Sequence, residues 1–260
     1  MKKQPISLEE QKRIRYEILE EVDKYCRENE IKYSLAFGTL LGAIRHKGFI
    51  PWDDDLDIMM PLPDMLRFKK GFHSDKIKFY DIDTDSDYRC AFGNLGYIST
   101  YRRSGLISRF FGVGVDVYPL IGLPEDITLR ESFFAQAETL QCNRMKFLKW
   151  QQRFLKILPI YNIPGYSRAI RTYRDFLYNN SVPYEKSTVF YVIAAPLSDR
   201  KLMTYDCDLF ENLIEVPFET GIFKCIEHYD YFLTKKYGDY MKLPPLEERV
   251  EHHGQIYYRK

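Results

Sequence analysis

After Ser7 and Glu10, which form a capping box, the apolar positions Ile14, Ile18, Val22 and Tyr25 recur at helical spacing, so an amphipathic helix is predicted to about Asn29. The pattern then shortens. Tyr33 to Phe37 reads as a strand ending on Gly38, Leu40 to Arg45 as one or two helical turns, and Gly48 as their stop. Leu56 to Met60 predicts a second strand, and a helix follows Pro61 and Pro63 toward His73. Further strands are expected at Ile77 to Ile82, Ala91 to Ile98 and Val113 to Tyr118. From Leu129 the texture becomes long and helical, broken at Pro159, Pro164 and Gly165, and it runs to about Tyr178. The apolar stretch Val189 to Leu197, a strand or turn at Val216 to Phe218, and a helix near Glu227 to Tyr237 complete the chain. These elements predict an α+β protein. Residues 1–125 form a mixed-sheet core with flanking helices, and residues 126–260 form a helical region and a C-terminal segment that completes the site, the two making one compact unit.

Composition changes this picture only a little. A chain of 260 residues can bury a sizeable core, and 38 Lys and Arg against 37 Asp and Glu leave no overall field for holding nucleic acid, so no nucleic-acid partner is expected. Cys26, Cys90, Cys142, Cys207 and Cys225 are odd in number and lack paired spacing, which argues against a disulfide framework or a thiolate zinc site and for a reducing cytoplasm. The N-terminal MKKQPISLEEQKR carries no apolar core after its lysines, and no run reaches the ~18 apolar residues of a membrane span.

Local charge says more than the total. In a strand, residues i and i+2 share a face, so Asp55 and Asp57 are expected to project together while Leu56 and Ile58 face the core. Adjacent carboxylates repel unless a cation joins them, and hard oxygen ligands suit Mg²⁺ or Mn²⁺, which also take substrate phosphates as ligands. Asp116, inside the apolar run Val113 to Tyr118, would be costly to bury without a cation or proton, so it is the third candidate acid, either as a metal ligand or as acceptor of a hydroxyl proton. Gly38 lets a phosphate approach the backbone closely, and Thr39 offers an amide and a hydroxyl at a helix start. Arg45, His46 and Lys47 at the far end of that helix could neutralise phosphate charge. Two plainer alternatives stand beside this: an acidic run is often a solvated turn, and a strand-end aspartate often just binds a backbone amide. Asp53-Asp54 with Asp57 also matches the DDxxD of helical isoprenoid synthases, but proline and strand-like residues flank it here. Asp81, Asp83, Asp85 and Asp87 alternate like a calcium loop, yet Ser86 and Phe92 replace its glycine and closing glutamate, so an exposed loop is expected.

The segment Leu35-Ala-Phe-Gly-Thr-Leu-Leu-Gly-Ala-Ile-Arg-His-Lys-Gly-Phe-Ile-Pro-Trp-Asp-Asp-Asp-Leu-Asp-Ile58 closely resembles the hallmark of the LicD family of phosphocholine transferases, to which fukutin-type proteins are related. The likeness extends to Val115-Asp-Val-Tyr-Pro-Leu120 and to Tyr237-Gly-Asp-Tyr-Met-Lys-Leu-Pro-Pro245 with Glu248-Arg249 and His252-His253. The resemblance implies a nucleotidyltransferase-like fold with Gly38-Thr39 as its turn, Asp55 and Asp57 as its acidic pair, and Asp116 as its third acid. It also implies a CDP-activated donor such as CDP-choline, whose phospho-alcohol passes to a hydroxyl of teichoic acid, lipopolysaccharide or capsule while CMP leaves. On the same basis Arg45 to Trp52 becomes a donor-recognition segment, and Asp53 and Asp54 are candidates for a second metal or for orienting Arg45. Trp52 could stack on a base, face a choline ammonium or simply anchor the fold. His252 and His253 could contact phosphate or form a polar tail.

Lipid-linked glycan acceptors would call for a peripheral contact at the inner face of the membrane. Between Asn143 and Tyr178 stand Arg144, Lys146, Lys149, Arg153, Lys156, Arg168, Arg171 and Arg174 against the single acid Asp175, a basic amphipathic pattern suited to an anionic surface and equally to a solvated helix face. Two other functions compete: a metal-dependent glycosyltransferase, for which Asp55-Leu56-Asp57 would be the DxD motif, and a cation- or glycan-binding module without turnover.

Overall fold

The computed structural model describes residues 5–85, 88, 90–104, 107–109, 112–154, 165–194, 197–249 and 256–259. His252 and His253 lie outside them, as do the side chains of Arg144, Lys146, Lys149, Arg153 and Lys156. The first elements are α1 (Leu8–Glu28), β1 (Ser34–Leu35), α2 (Phe37–His46), β2 (Asp57–Pro61), α3 (Leu62–Gly71), β3 (Ile77–Tyr80) and β4 (Gly93–Tyr97). There follow β5 (Thr100–Ser104), β6 (Ile107–Arg109), β7 (Gly114–Leu123), α4 (Ile127–Phe154), α5 (Tyr166–Asn179) and β8 (Val189–Val192). The last are α6 (Arg200–Met203), β9 (Thr204–Tyr205), β10 (Leu213–Phe218), β11 (Gly221–Ile226), α7 (Tyr229–Tyr237) and β12 (Ile256–Tyr258). Helices and a mixed, curled sheet bear out the α+β expectation.

The chain divides into two units that interleave along the sequence. One comprises Met1–Phe79, Asn94–Tyr118 and Leu209–Lys260; the other comprises Tyr80–Gly93 and Pro119–Asp208. In the first, strands run in the order β1-β2-β7-β4-β3, and β12, β5 and β6 make a separate three-stranded sheet. Helix α1 starts where the capping box places it, with the Ser7 hydroxyl accepting the Glu10 amide at 3.2 Å. Its inner face buries Ile14, Ile18, Leu19, Val22 and Cys26, each aliphatic contributing about 1.5–3 kcal/mol. Arg15 is buried on that same face.

Strand β2 is apolar on both faces, Ile58, Met59 and Met60 all being fully buried, with β1 and β7 paired to its edges and α2 and α3 packed on it. Its pairing with β1 sets Ser34 opposite Met59 and Leu35 opposite Ile58. The hairpin of β10 and β11 turns on Glu219, at φ 55°, and joins this layer through the Ile226 amide, which donates to Ser34 Oγ at 3.0 Å. Only Val216 to Phe218 of that hairpin was expected from the sequence, and the β5–β6 hairpin was not.

In the second unit, the C-terminal half of β7 pairs antiparallel with β8, from Leu120 opposite Val192 to Leu123 opposite Val189, and β8 pairs with β9. Asp126 Oδ1 accepts the Thr128 and Leu129 amides and so starts α4. Phe133 packs on Phe176 of α5 at 5.3 Å, and Phe134 on Tyr191 of β8 at 5.3 Å. Of the basic residues expected on an outer face, Arg171 stays exposed while donating to the Ile82 carbonyl at 2.9 Å, and Arg174, 8% exposed, turns inward to bind Asp83. The acidic loop is not wholly exposed either, because Asp81 is buried and accepts the Asp83 and Thr84 amides at 3.0 and 2.9 Å. Among the described residues no helix is long and apolar enough to cross a membrane.

Candidate active site

Helix α2 begins three residues earlier than its apolar pattern suggests. Phe37, at φ 43°, turns the chain from β1 directly into the helix, so Gly38 and Thr39 lie in its first turn instead of in a loop before it. A bulky residue at positive φ is strained by about 1–3 kcal/mol, and the Phe37 ring is held against Tyr118 at 5.1 Å and Phe232 at 5.4 Å. The N-cap, Ala36, offers no side-chain acceptor, which leaves first-turn amides available to an anion. A Cβ on Gly38 would stand 2.7 Å from Asp53 Oδ2, so the missing side chain allows that carboxylate to reach the helix start. The Thr39 hydroxyl accepts the Asp57 amide at 2.8 Å and ties α2 to the first residue of β2. At the other end, the helix stops on Lys47, left-handed at φ 61°, and not on Gly48; the loop beyond is pinned by Glu219, whose Oε1 accepts the Phe49 amide at 2.8 Å and whose own amide donates to the Lys47 carbonyl.

The acids converge here. Asp55 precedes β2 instead of lying in it, and carboxylate oxygens of Asp53, Asp54 and Asp55 come within 4.8 Å of one another. Asp57 heads β2, and Asp116 lies on β7, where its amide donates to the Leu56 carbonyl at 3.0 Å. The Tyr118 hydroxyl stands 3.3 Å from both Asp57 Oδ1 and Asp116 Oδ2, while Asn94 Nδ2 donates to Asp116 Oδ1 at 2.6 Å. Burial, followed by the charges of Asp116, Asp55 and Asp53, holds the Asp57 carboxyl well above the usual carboxylate range. Asp53 is raised too, by burial and then by Asp55. The Tyr237 hydroxyl of α7 is pushed up by desolvation and then by the charges of Asp57 and Asp53.

Such crowding can be relieved by protons or by cations. The donor set consists of hard carboxylate oxygens without sulfur or imidazole, which fits Mg²⁺ or Mn²⁺. Asp53, Asp54, Asp55, Asp57 and Asp116 are the residues that could hold such an ion.

The Arg45 to Trp52 segment bonds largely with the protein itself. Arg45 Nη1 donates to the Tyr240 carbonyl at 2.7 Å and the Lys242 carbonyl at 3.3 Å, and its Nε donates to His46 Nε2 at 2.9 Å. His46 is therefore an acceptor, and burial followed by Arg45 lowers its pKa, so it offers no cation near neutral pH. The guanidinium of Arg249 lies 4.9 Å from the Trp52 ring centroid, and His46 meets Trp52 edge-on at 6.1 Å. Lys47 is exposed. Residues 35–58 thus meet 115–118 at Leu56 and Asp57 and meet 237–249 at Arg45 and Trp52.

Sequence reasoning missed Tyr118, Asn94, Tyr237, Lys12 and Arg15. Lys12 Nζ donates to the Ile50 and Pro51 carbonyls at 3.0 Å each, and burial lowers the pKa of Arg15 against the opposing charges of Asp55 and Asp54. For Arg15 a signal existed: it is a charge on the apolar stripe of α1.

Residues 30–120 match the family model described as LicD/FKTN/FKRP, nucleotidyltransferase domain. The chain is 28% identical over 268 residues to the lipopolysaccharide cholinephosphotransferase LicD of Haemophilus influenzae, an alignment that covers 97% of this chain and 98% of that protein. It is also 36% identical over 89 residues to an uncharacterized protein of Rickettsia prowazekii and 44% identical over 55 residues to one of Rickettsia typhi, covering 27% and 18% of those proteins.

Proposed function

We propose that the chain is a LicD-type phosphotransferase and that it moves phosphocholine, or a related phospho-alcohol, from a CDP-activated donor to a hydroxyl of a cell-surface glycan. CDP-choline is the leading donor. Lipopolysaccharide is the acceptor suggested by the Haemophilus relative's name, and teichoic acid and capsule are further candidates. The observation that carries the proposal is the acid centre at the start of α2: Asp57 and Asp116 share the Tyr118 hydroxyl beside the Asp53–Asp55 cluster.

The acceptor oxygen attacks the phosphorus of the phospho-alcohol, the bond from that phosphorus to the CMP oxygen breaks, and CMP departs with the electron pair. The hydroxyl proton passes to a carboxylate. Asp57 and Asp116 stand side by side to take it, both within reach of the Tyr118 hydroxyl. First-turn amides of α2 at Gly38 and Thr39 orient the donor phosphates. A divalent ion, Mg²⁺ or Mn²⁺, held by Asp55, Asp57 and Asp116 with Asp53 close by, would neutralise charge on the phosphates. Arg249 lies over Trp52 where the C-terminal segment returns to Arg45. A lipid-linked acceptor would bring the protein to a membrane surface as a peripheral visitor from the cytoplasm.

Incubation with a panel of CDP-alcohols and Mg²⁺, reading CMP released, tests donor and class together. CMP formation with CDP-choline, lost on metal chelation, is the expected result. Turnover of sugar nucleotides but of no CDP-alcohol would assign the acids to a glycosyltransferase instead.

A further inference from the structure

Arg249 is half-buried over the indole of Trp52, 4.9 Å from the ring centroid, and its Nε donates to the Pro244 carbonyl at 2.9 Å. Those contacts fix its stem and leave both Nη groups without an acceptor among the described residues. Arg45 comes to the same stretch from α2, with Nη1 on the Tyr240 and Lys242 carbonyls. The two guanidiniums therefore rest on carbonyls two residues apart, at Lys242 and Pro244, and among the described residues neither meets a carboxylate within ion-pair distance. Burial, and then the charge of Arg249, lowers the pKa of Arg45, as two unrelieved cations require. An anion between them would remove that repulsion. His46, which accepts from Arg45 Nε, meets the indole edge-on at 6.1 Å, so both arginines reach Trp52, one directly and one through His46.

Location decides which anion. Trp52 is peptide-bonded to Asp53, whose Oδ2 would stand 2.7 Å from a Cβ at Gly38 in the first turn of α2. We propose that Arg249, lying over Trp52 beside Arg45, is a phosphate-binding residue that takes the diphosphate of the nucleotide donor. This rests on the donor reading given above. A guanidinium presents a planar fork that matches two phosphate oxygens, and an aromatic ring against it fixes the fork before the ligand arrives, so less side-chain freedom is lost on binding. Trp52 acts through Arg249 and is a positioning residue.

Calorimetric titration of metal-stripped protein with inorganic pyrophosphate at low ionic strength tests the site apart from turnover. Wild type should bind, and Arg249→Met should bind about tenfold or more weakly. Arg249→Lys should fall between them, because it keeps the charge and loses the fork, and it serves if Arg249→Met does not fold. Trp52→Leu should weaken binding severalfold in wild type and add nothing in the Arg249→Met background, since the ring acts through Arg249. CDP-choline should displace the pyrophosphate; displacement by glucose 6-phosphate and not by CDP-choline would give the site to a phosphorylated acceptor and overturn the donor assignment. Pyrophosphate affinity unchanged in Arg249→Met and Arg249→Lys, or no binding by wild type, overturns the phosphate site and leaves the transferase reading standing. Binding that depends on Arg249 in a protein that turns over no CDP-alcohol overturns the transferase reading and leaves the phosphate site standing.

Discussion

Arg174 in α5 and Arg15 in α1 are both buried, 8% and 1% exposed, and their surroundings are opposite. Arg174 grips Asp83 with two bonds of 2.7 and 3.0 Å and adds Asp175 at 2.6 Å, so its charge is raised in pKa and fully used. Arg15 has one long bond and an idle Nε, and burial lowers its pKa. The same division runs through the units. The second packs aromatic rings and closes its ion pairs locally. The first keeps Phe37 at positive φ, crowds five aspartates, and leaves a guanidinium under-bonded. Unrelieved carboxylate charge and backbone strain thus lie together in the first unit.

The sharpest test of this contrast is Asp57→Asn. CMP release should fall by about three orders of magnitude, since ion coordination and proton acceptance are lost together. Stability should move the other way. A carboxyl whose folded pKa is raised binds its proton more tightly when folded, so it costs stability as pH rises above the ordinary carboxylate range, and the amide removes that cost. Metal-free Asp57→Asn should therefore melt no lower than wild type at pH 7.5; a clear drop in melting temperature would mean that the crowding is not felt.

Arg174→Ala probes the opposite kind of site and should cost about 2 kcal/mol in urea unfolding, less than a fully buried pair because Asp83 and Asp175 are 44% and 43% exposed. CMP release per folded molecule should not change. Gly38→Ala places a methyl 2.7 Å from Asp53 Oδ2 and should lower kcat about tenfold or more with the melting temperature nearly constant. Smallest is Tyr118→Phe, which removes the donor between Asp57 and Asp116 and should slow CMP release by about fivefold. Because that donor lowers the Asp57 pKa, the acidic limb of the rate profile should move to higher pH, and an unmoved limb would detach Tyr118 from Asp57.

Much of the first unit was legible because local rules and tertiary demands agree there. Ser7 and Glu10 cap α1 as read, and the alternation around Leu56 and Ile58 marks a strand start. Helix α2 was misjudged at its N-terminus because Phe37 takes a backbone conformation its residue type disfavours, and at its C-terminus because Lys47 takes the left-handed position usually left to glycine. The β5–β6 hairpin escaped notice because its polar residues show no alternating apolar pattern. His46 read as a cation and became an acceptor once Arg45 turned its Nε onto it.

The sequence by itself determined the α+β class and carried the resemblance to the family, because these depend on residue types at short spacing along the chain. Tertiary structure decided which acids share a place and what surrounds them. It set Asp116 and Tyr118 beside Asp57 through the pairing of β7 with β2, brought Tyr240, Lys242 and Arg249 back onto Arg45 and Trp52, and turned Arg15 inward from a helix that sequence spacing marks only as amphipathic. Those contacts join residues tens to hundreds of positions apart, and only folding brings such charges close enough to feel one another.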